Sequence, residues 1–339
     1  MIAAASPAFV LPPRNEATTT PERRGVTRDG VRLLVTDGRS GSNRDASFRD
    51  LPAFLRPGDL LVANDSATLP AALTARSPDG RTFALHLSTQ VADGLWIAEP
   101  RTPQAVAPGE RVSLAAGSAT FLAPVDDAHP RLWYTGLRVP GSFAAFLSAH
   151  GTPIRYPYVV DALPLADYQT VFAQSPGSAE MPSAGRPFTR EVLDDLFEAG
   201  VELATLTLHT GVSSPERHER PYREPYAVPD RTARAVNDAR RRGGRVIAIG
   251  TTVVRALESA AAGGAAIASS GWTDLIVTPE RGVALVDALL TGFHEPQASH
   301  LDLLRAFASD DVLAAAYAHA IGAGYLWHEF GDVHLLIAG

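Results

Sequence analysis

The sequence predicts an α/β protein: a barrel-like α/β main domain with a small all-β domain, a β-barrel, inserted in it. Three observations predict it. After residue 141, strand-length apolar runs alternate with helical patterns, which implies a mostly parallel sheet or barrel flanked by helices. Between residues 69 and 140 the texture changes to short strand-like segments separated by turns, the spacing of a sandwich or barrel. A chain of 339 residues also has room for about two domains. The expected division is 1–68 with 141–339 as a discontinuous main domain, and 69–140 as the insert.

Each element has its own signal. Residues 1–30 are rich in Pro, Thr and Arg without periodicity and are expected to wrap the surface. Residues 31–35 read as a strand, residues 48–55 carry helical spacing, and residues 60–63 form a buried strand ending in Asn64-Asp65-Ser66. That tripeptide could cap the next element or contact a ligand. In the insert, strands are expected at 71–76, 82–88, 94–98, 111–114, 119–123 and 132–137, with turns such as Pro78-Asp79-Gly80 and Pro108-Gly109-Glu110. Thr189 and Gly200 bracket a helix as N-cap and C-cap. Strands are then expected at 201–209, 245–249, 275–277, 283–290 and 333–337, and helices at 230–242, 252–262, 301–308 and 312–321.

Composition narrows the chemistry. The chain is 45% hydrophobic and 20% charged, an ordinary folded composition. It has no cysteine, so no disulfide, thiolate ligand or cysteine nucleophile. It has no lysine either, because all 30 basic residues are arginine. Schiff-base chemistry and a P-loop lysine are therefore excluded. No apolar run reaches the roughly 20 residues of a membrane span, and a cytoplasmic location is expected. A net charge of −7 argues against nucleic-acid binding over the whole surface. The arginines between 217 and 245 form a local patch that could meet phosphate, or could be a solvated helix face.

Four segments could carry chemistry. Gly250-Thr251-Thr252 lies between a buried strand and a helix, where free N–H groups and the helix dipole can cradle a carboxylate or phosphate. Thr251 could equally be a plain N-cap, and Arg255 with Glu258 a surface i,i+3 pair. Ser183-Ala184-Gly185 is a turn of small residues that lets a ligand approach the backbone. His209 and His294 both end strands. The stretch from Thr291 to Pro296 presents Phe293, His294 and Glu295 on a turn just past a buried strand, where ligands bind in α/β folds. There is no H-E-x-x-H, no i,i+4 histidine pair and no G-x-G-x-x-G, so no metal or dinucleotide is expected.

Taken in order, the segments resemble the QueA family, S-adenosylmethionine:tRNA ribosyltransferase-isomerase. The resemblance runs through 48–51, 55–62, Asn64-Asp65, 168–173 and Pro182-Ser183-Ala184-Gly185. It continues through Leu208-His209, 243–248, Gly250-Thr251-Thr252, Arg255, Leu257-Glu258, Gly271-Trp272-Thr273-Asp274, 286–291, Phe293-His294 and Gly331-Asp332. It implies an α/β barrel-like domain with an inserted β-barrel. It implies transfer and isomerisation of the ribosyl group of S-adenosylmethionine onto a 7-aminomethyl-7-deazaguanine base in tRNA. The products are epoxyqueuosine, adenine and methionine, on the route to queuosine. S-adenosylmethionine is a substrate, and no further cofactor is implied.

The sulfonium acidifies the ribose C5′ hydrogens, so one positioned base can start the reaction. The resemblance suggests His294 or His209 for that role, with Gly250-Thr251-Thr252 and Arg255 holding the methionine carboxylate or a backbone phosphate. It places substrate contacts at Ser183, Ala184, Gly185, Gly250, Thr251, Thr252, Glu258, Thr273, Asp287, Thr291 and Phe293. The chain departs from the family at Arg186-Pro187 (usually Leu-His), in the residues after His209, at 280–283, and at Gly292 and Glu295 (usually Asn and Leu). Those departures leave two alternatives: a paralogue acting on another, small nucleoside-like acceptor, or a non-catalytic S-adenosylmethionine- or RNA-binding protein.

Overall fold

The computed structural model describes residues 9–212, 222–296 and 300–338. The chain begins with β1 (Arg32–Asp37), β2 (Asn43–Ser47), β3 (Leu60–Asn64) and the short β4 (Ser66–Thr68). The expected helix at 48–55 is a 3₁₀ helix, Phe48–Phe54, closed at its start by a capping box between Ser47 and Asp50. Six antiparallel strands follow: β5 (Ala72–Arg76), β6 (Thr82–Ala92), β7 (Leu95–Arg101), β8 (Arg111–Leu114), β9 (Gly117–Pro124) and β10 (Trp133–Arg138). They close into a barrel in the order β10-β7-β6-β5-β8-β9. Its interior is filled by Leu73, Phe83, Leu85, Leu87, Trp96, Val112 and Phe121. Helix α1 (Phe143–His150) packs Phe146 and Leu147 into the same cluster, so the barrel's packing reaches past residue 140.

The rest of the chain holds β11 (Ser175–Ser178), α2 (Arg190–Glu198), β12 (Glu202–Leu208), β13 (Glu224–Val228), α3 (Asp230–Arg241), β14 (Val246–Ile249) and α4 (Thr251–Ser259). A small hairpin, β15 (Ala261–Ala262) and β16 (Ala265–Ala266), precedes β17 (Ser269–Thr273), β18 (Ala288–Gly292), α5 (His300–Leu304), α6 (Asp310–Gly322) and β19 (Val333–Ile337). Nine strands form one mixed sheet, in the open row β17-β13-β12-β3-β14-β18-β19-β1-β2. β12, β3, β14 and β18 run parallel to one another, and β19 pairs antiparallel with β18 and parallel with β1.

Burial alternates along these strands with period two. Leu60, Val62, Val246, Ala248 and Leu289 join one core with α3, α4 and α6. Leu61, Ala63, Ile247, Ile249 and Leu290 join the other with α2 and the 48–54 turn. Both faces are covered, which is why the central strands read as unbroken apolar runs.

Two expected strands differ. Residues 275–277 are not a strand, and the edge position is taken by β17. The strand expected at 283–290 starts only at Ala288, because the Ala284 and Leu285 N–H groups bond the Glu258 carboxylate at 2.9 Å instead of a neighbouring strand.

Candidate functional site

The parallel strands end on one edge of the sheet, and the ends gather around a cavity of about 640 Å³. β14 delivers Gly250, Thr251 and Thr252 to it, and β18 delivers Thr291, Gly292, Phe293, His294 and Glu295. β12 leads to Thr210, and the turn before α2 supplies Ser183 and Ala184. The remaining wall comes from Glu16, Tyr156, Tyr158, Glu180, Met181, His300, His328 and Glu329. A crevice at the carboxyl ends of parallel strands is the usual ligand site of such sheets.

Gly250 is the N-cap of α4, at φ +95°, and no side chain caps the helix. A glycine is needed for that backbone angle. It leaves the positive end of α4 bare toward the cavity. Thr252 Oγ1 accepts from Asn64 Nδ2 at 3.3 Å, and Asn64 also brackets Leu208, accepting from its N–H at 3.0 Å and donating to its carbonyl at 2.8 Å. Asn64 therefore locks the ends of β3 and β12 to the start of α4.

His294 sits in an aromatic setting. Its Nε2 is 2.9 Å from Thr291 Oγ1, its ring stacks on His300 at 4.8 Å, and its carbonyl accepts from Trp327 Nε1 at 3.0 Å. Burial, with His300 and His334 adding to it, holds its pKa well below 6.5. The imidazole is neutral at pH 7 and able to accept a proton. Phe293 is buried between Trp327 and His334 and lines the same cavity.

Other expected site residues lie outside the cavity wall, each for a visible reason. Arg255 and Glu258 are one and two turns down α4, away from its open end. They are not a surface pair. Arg255 is 7% exposed and ion-paired to Glu224, and donates to the carbonyls of Leu275 and Thr273. Glu258 is 3% exposed and binds Arg281 at 3.1 Å besides the two N–H groups named above. Thr273 ends an edge strand, with its hydroxyl 2.6 Å from Ser259 Oγ.

Asp287 accepts from Val246 N–H at 2.8 Å, at the opposite edge of the sheet from the cavity. Gly185 packs against Phe172 and Thr170. His209 is one residue behind the wall: its Nδ1 meets Ser66 Oγ at 2.7 Å, and Ser66 meets Ser178, which in turn meets the lining Thr210. Burial lowers its pKa, opposed by the charge of Asp65. Arg186 is 2% exposed, paired with Glu22 at 3.1 Å and lying over the Phe330 ring.

Of the arginine patch, Arg217 and Arg220 lie outside the described residues. Arg234, Arg241, Arg242 and Arg245 pair with Asp230, Asp238, Glu202 and Asp59, and Arg240 donates to the Leu285 carbonyl. Arg223 and Arg231 are exposed. No group of three or more histidines and carboxylates among the described residues could hold a metal ion, and no described helix is long and apolar enough to cross a membrane.

Sequence reasoning missed Tyr156, Tyr158, Glu180, His328 and Glu329. The signal available for the last two was a titratable pair inside the aromatic run Trp327-His328-Glu329-Phe330, just before the final strand.

The model of a family described as queuosine biosynthesis protein matches residues 5–336. The chain belongs to this family. A relative from Thermus thermophilus, named S-adenosylmethionine:tRNA ribosyltransferase-isomerase, is 40% identical over 97% of this chain and 98% of its own. One of the same name from Acidithiobacillus ferrooxidans is 40% identical over 91% of this chain and 92% of its own. The crystal structure of S-adenosylmethionine tRNA ribosyltransferase from Thermotoga maritima is similar over 97% of this chain and 99% of that one, with a TM-score of 0.56 and 31% identity. The barrel and the large mixed sheet are thus set in a queuosine biosynthesis protein.

Proposed function

We propose that the chain is a transferase that moves and isomerises the ribosyl group of S-adenosylmethionine onto a 7-aminomethyl-7-deazaguanine base of tRNA in the cytoplasm. Similarity over more than nine-tenths of the chain to relatives named S-adenosylmethionine:tRNA ribosyltransferase-isomerase carries the reading. The cavity suits it chemically. The bare N-terminus of α4 can take the methionine carboxylate. The neutral His294, on the turn after β18, is the base that removes a C5′ proton from the carbon made acidic by the sulfonium. Adenine then leaves, and methionine leaves when the sugar closes onto itself. Ser183, Ala184, Thr251, Thr252, Thr291 and Phe293 contact the ribose and methionyl parts in this reading. His209, Arg255, Glu258, Thr273 and Asp287 hold the frame. The barrel with α1 is one domain and the mixed sheet the other.

Incubation with labelled S-adenosylmethionine and tRNA bearing the deazaguanine precursor tests this. The expected result is epoxyqueuosine in the nucleoside digest with matching adenine and methionine. Adenine release without label in the tRNA, but with label in a small nucleoside, would replace the acceptor. No adenine release at all would overturn the reading.

A further inference from the structure

One wall of the cavity carries carboxyl groups that proton removal by His294 does not use. Glu16, Glu180, Glu295 and Glu329 all line it, and no arginine is among its described lining residues. Among these carboxylates sits an imidazole with one ring nitrogen left unpaired. The His328 side chain is 5% exposed, and its Nε2 is closed to solvent and hydrogen-bonded to nothing. Glu329 Oε1 is in the same state. His328 is also held at φ +75°, a left-handed angle that a histidine adopts infrequently. Its ring lies flat on Tyr158, with centroids 3.8 Å apart and planes within 8°, and its Nδ1 is 3.6 Å from Glu295 Oε1. Backbone strain in a non-glycine residue clusters at ligand clamps.

We propose that this wall is a subsite for a primary ammonium group, which gives hydrogen bonds to Glu329 and His328 within the field of Glu16, Glu180 and Glu295. The proposal rests on the ribosyl-transfer reading, in which both substrates bring such a group. One is the aminomethyl of the base and the other the α-ammonium of the methionyl part. A sulfonium carries charge but no N–H, so it leaves both unpaired atoms without a donor. An ammonium supplies three donors and a full charge, the combination that makes strong charge-assisted bonds.

Protonation supports the geometry. Burial and the nearby Glu180 push Glu329 up to about 8, with Arg186 acting the other way. Burial pushes His328 down to about 4. Near pH 7 the wall by itself therefore holds a protonated Glu329 and a neutral His328. An arriving ammonium forms an ion pair with the Glu329 carboxylate, and the displaced carboxyl proton goes to solvent.

Calorimetry with two matched pairs of probes tests this. The first pair is S-adenosylmethionine and its analogue lacking the α-amine. The second is a tRNA anticodon stem-loop bearing 7-aminomethyl-7-deazaguanine and one bearing 7-methyl-7-deazaguanine. In one pair, the wild type should favour the amine by about tenfold or more. It should also release close to one proton at pH 7, read as a heat that changes with the buffer. Glu329→Gln and His328→Asn should erase that preference, Glu329→Gln should erase the proton release, and neither should move the amine-free partner. The responding pair identifies the source of the ammonium.

No amine preference in either pair would overturn the subsite. So would a Glu329→Gln variant that weakens both members of a pair equally. If Glu329→Gln does not fold, Glu295→Gln, at a carboxylate 54% exposed, carries the same affinity comparison. Amine preference without epoxyqueuosine formation would sink the acceptor reading alone, and product without amine preference would sink the subsite alone.

Discussion

Ser66 Oγ lies 2.7 Å from His209 Nδ1, and Gly177 packs directly on the same ring. A Cβ at residue 177 would stand 2.4 Å from that nitrogen. The imidazole is a brace between β4, β11 and the end of β12. Gly177→Ala is expected to push the ring off Ser66 and destabilise the fold by about 1–3 kcal/mol. Urea denaturation should show this directly. His209→Ala should lose stability similarly, yet keep adenine release within about tenfold. A loss of about a hundredfold or more in folded protein would instead give His209 a direct part in proton transfer.

His294→Ala should behave differently. The residue is on the cavity wall, neutral at pH 7 and held by Thr291. Its removal should lower the rate of adenine release by about 10² or more, while S-adenosylmethionine affinity changes little. Single-turnover kinetics beside equilibrium binding separates the two effects. An unchanged rate would send the search for the base elsewhere on the wall.

How much of this could be read from the chain varies by element. The barrel strands were legible because turns such as Pro78-Asp79-Gly80 mark boundaries between short strand-like runs, although β6 and β10 carry register shifts that the sequence did not announce. The end of the 283–290 run was legible to within two residues, with Thr291 and Gly292 still paired to β19, but its beginning was not. There, a carboxylate 26 residues away in sequence, that of Glu258, takes the N–H groups that a strand partner would have used. Thr291 reaches the wall from the last turn of the pleat in β18, and Phe293 and His294 reach it because a strand end exposes whatever follows it. Arg255 and Asp287 share the same family segments and do not, because helical position and strand direction turn them away. His328 escaped because nothing in residue type announces a left-handed backbone at a histidine.

Acidification should destabilise the protein through its buried histidines. His334, fully buried beside Thr36, is pushed down to about 3, His328 to about 4, and His294 well below 6.5. Each pKa is lowered in the folded state, so below about 6.5 the unfolded chain binds the extra protons. This stability is whole above pH 6.5 and is lost as pH falls toward 3. Glu329 works in the opposite sense: its folded value near 8 stands above 4.5, so its contribution is whole below pH 4.5 and is lost as pH rises to 8. Denaturation midpoints should therefore fall from pH 7 to pH 4.5. Glu329→Gln should gain on the wild type, by an amount on the order of a few kcal/mol, between pH 5 and pH 8.5. Parallel curves for the two proteins would contradict the buried, protonated state of Glu329.

The ion pair of Arg255 with Glu224 is buried on both sides, with side chains 9% and 8% exposed. Removing one partner leaves a charge without its counterpart. Arg255→Ala is expected to cost about 3–5 kcal/mol, read by thermal or urea unfolding. Ligand affinity measured on the folded fraction should remain near that of the wild type. A selective loss of S-adenosylmethionine binding at unchanged stability would return Arg255 to the site.

The position of β19 has a consequence for how the protein is made. It is the last of the nine sheet strands in chain order, yet it sits inside the sheet, between β18 and β1. Until residues 333–337 have been synthesised, the β1–β2 ribbon has no partner through which to join the other six strands. Two exposed strand edges must wait for one late segment, a delay in which pairing with other chains competes. Because β18 is one of those waiting edges and leads directly into the His294 turn, the edge of the molecule that bounds the cavity is among the last parts to be secured during translation.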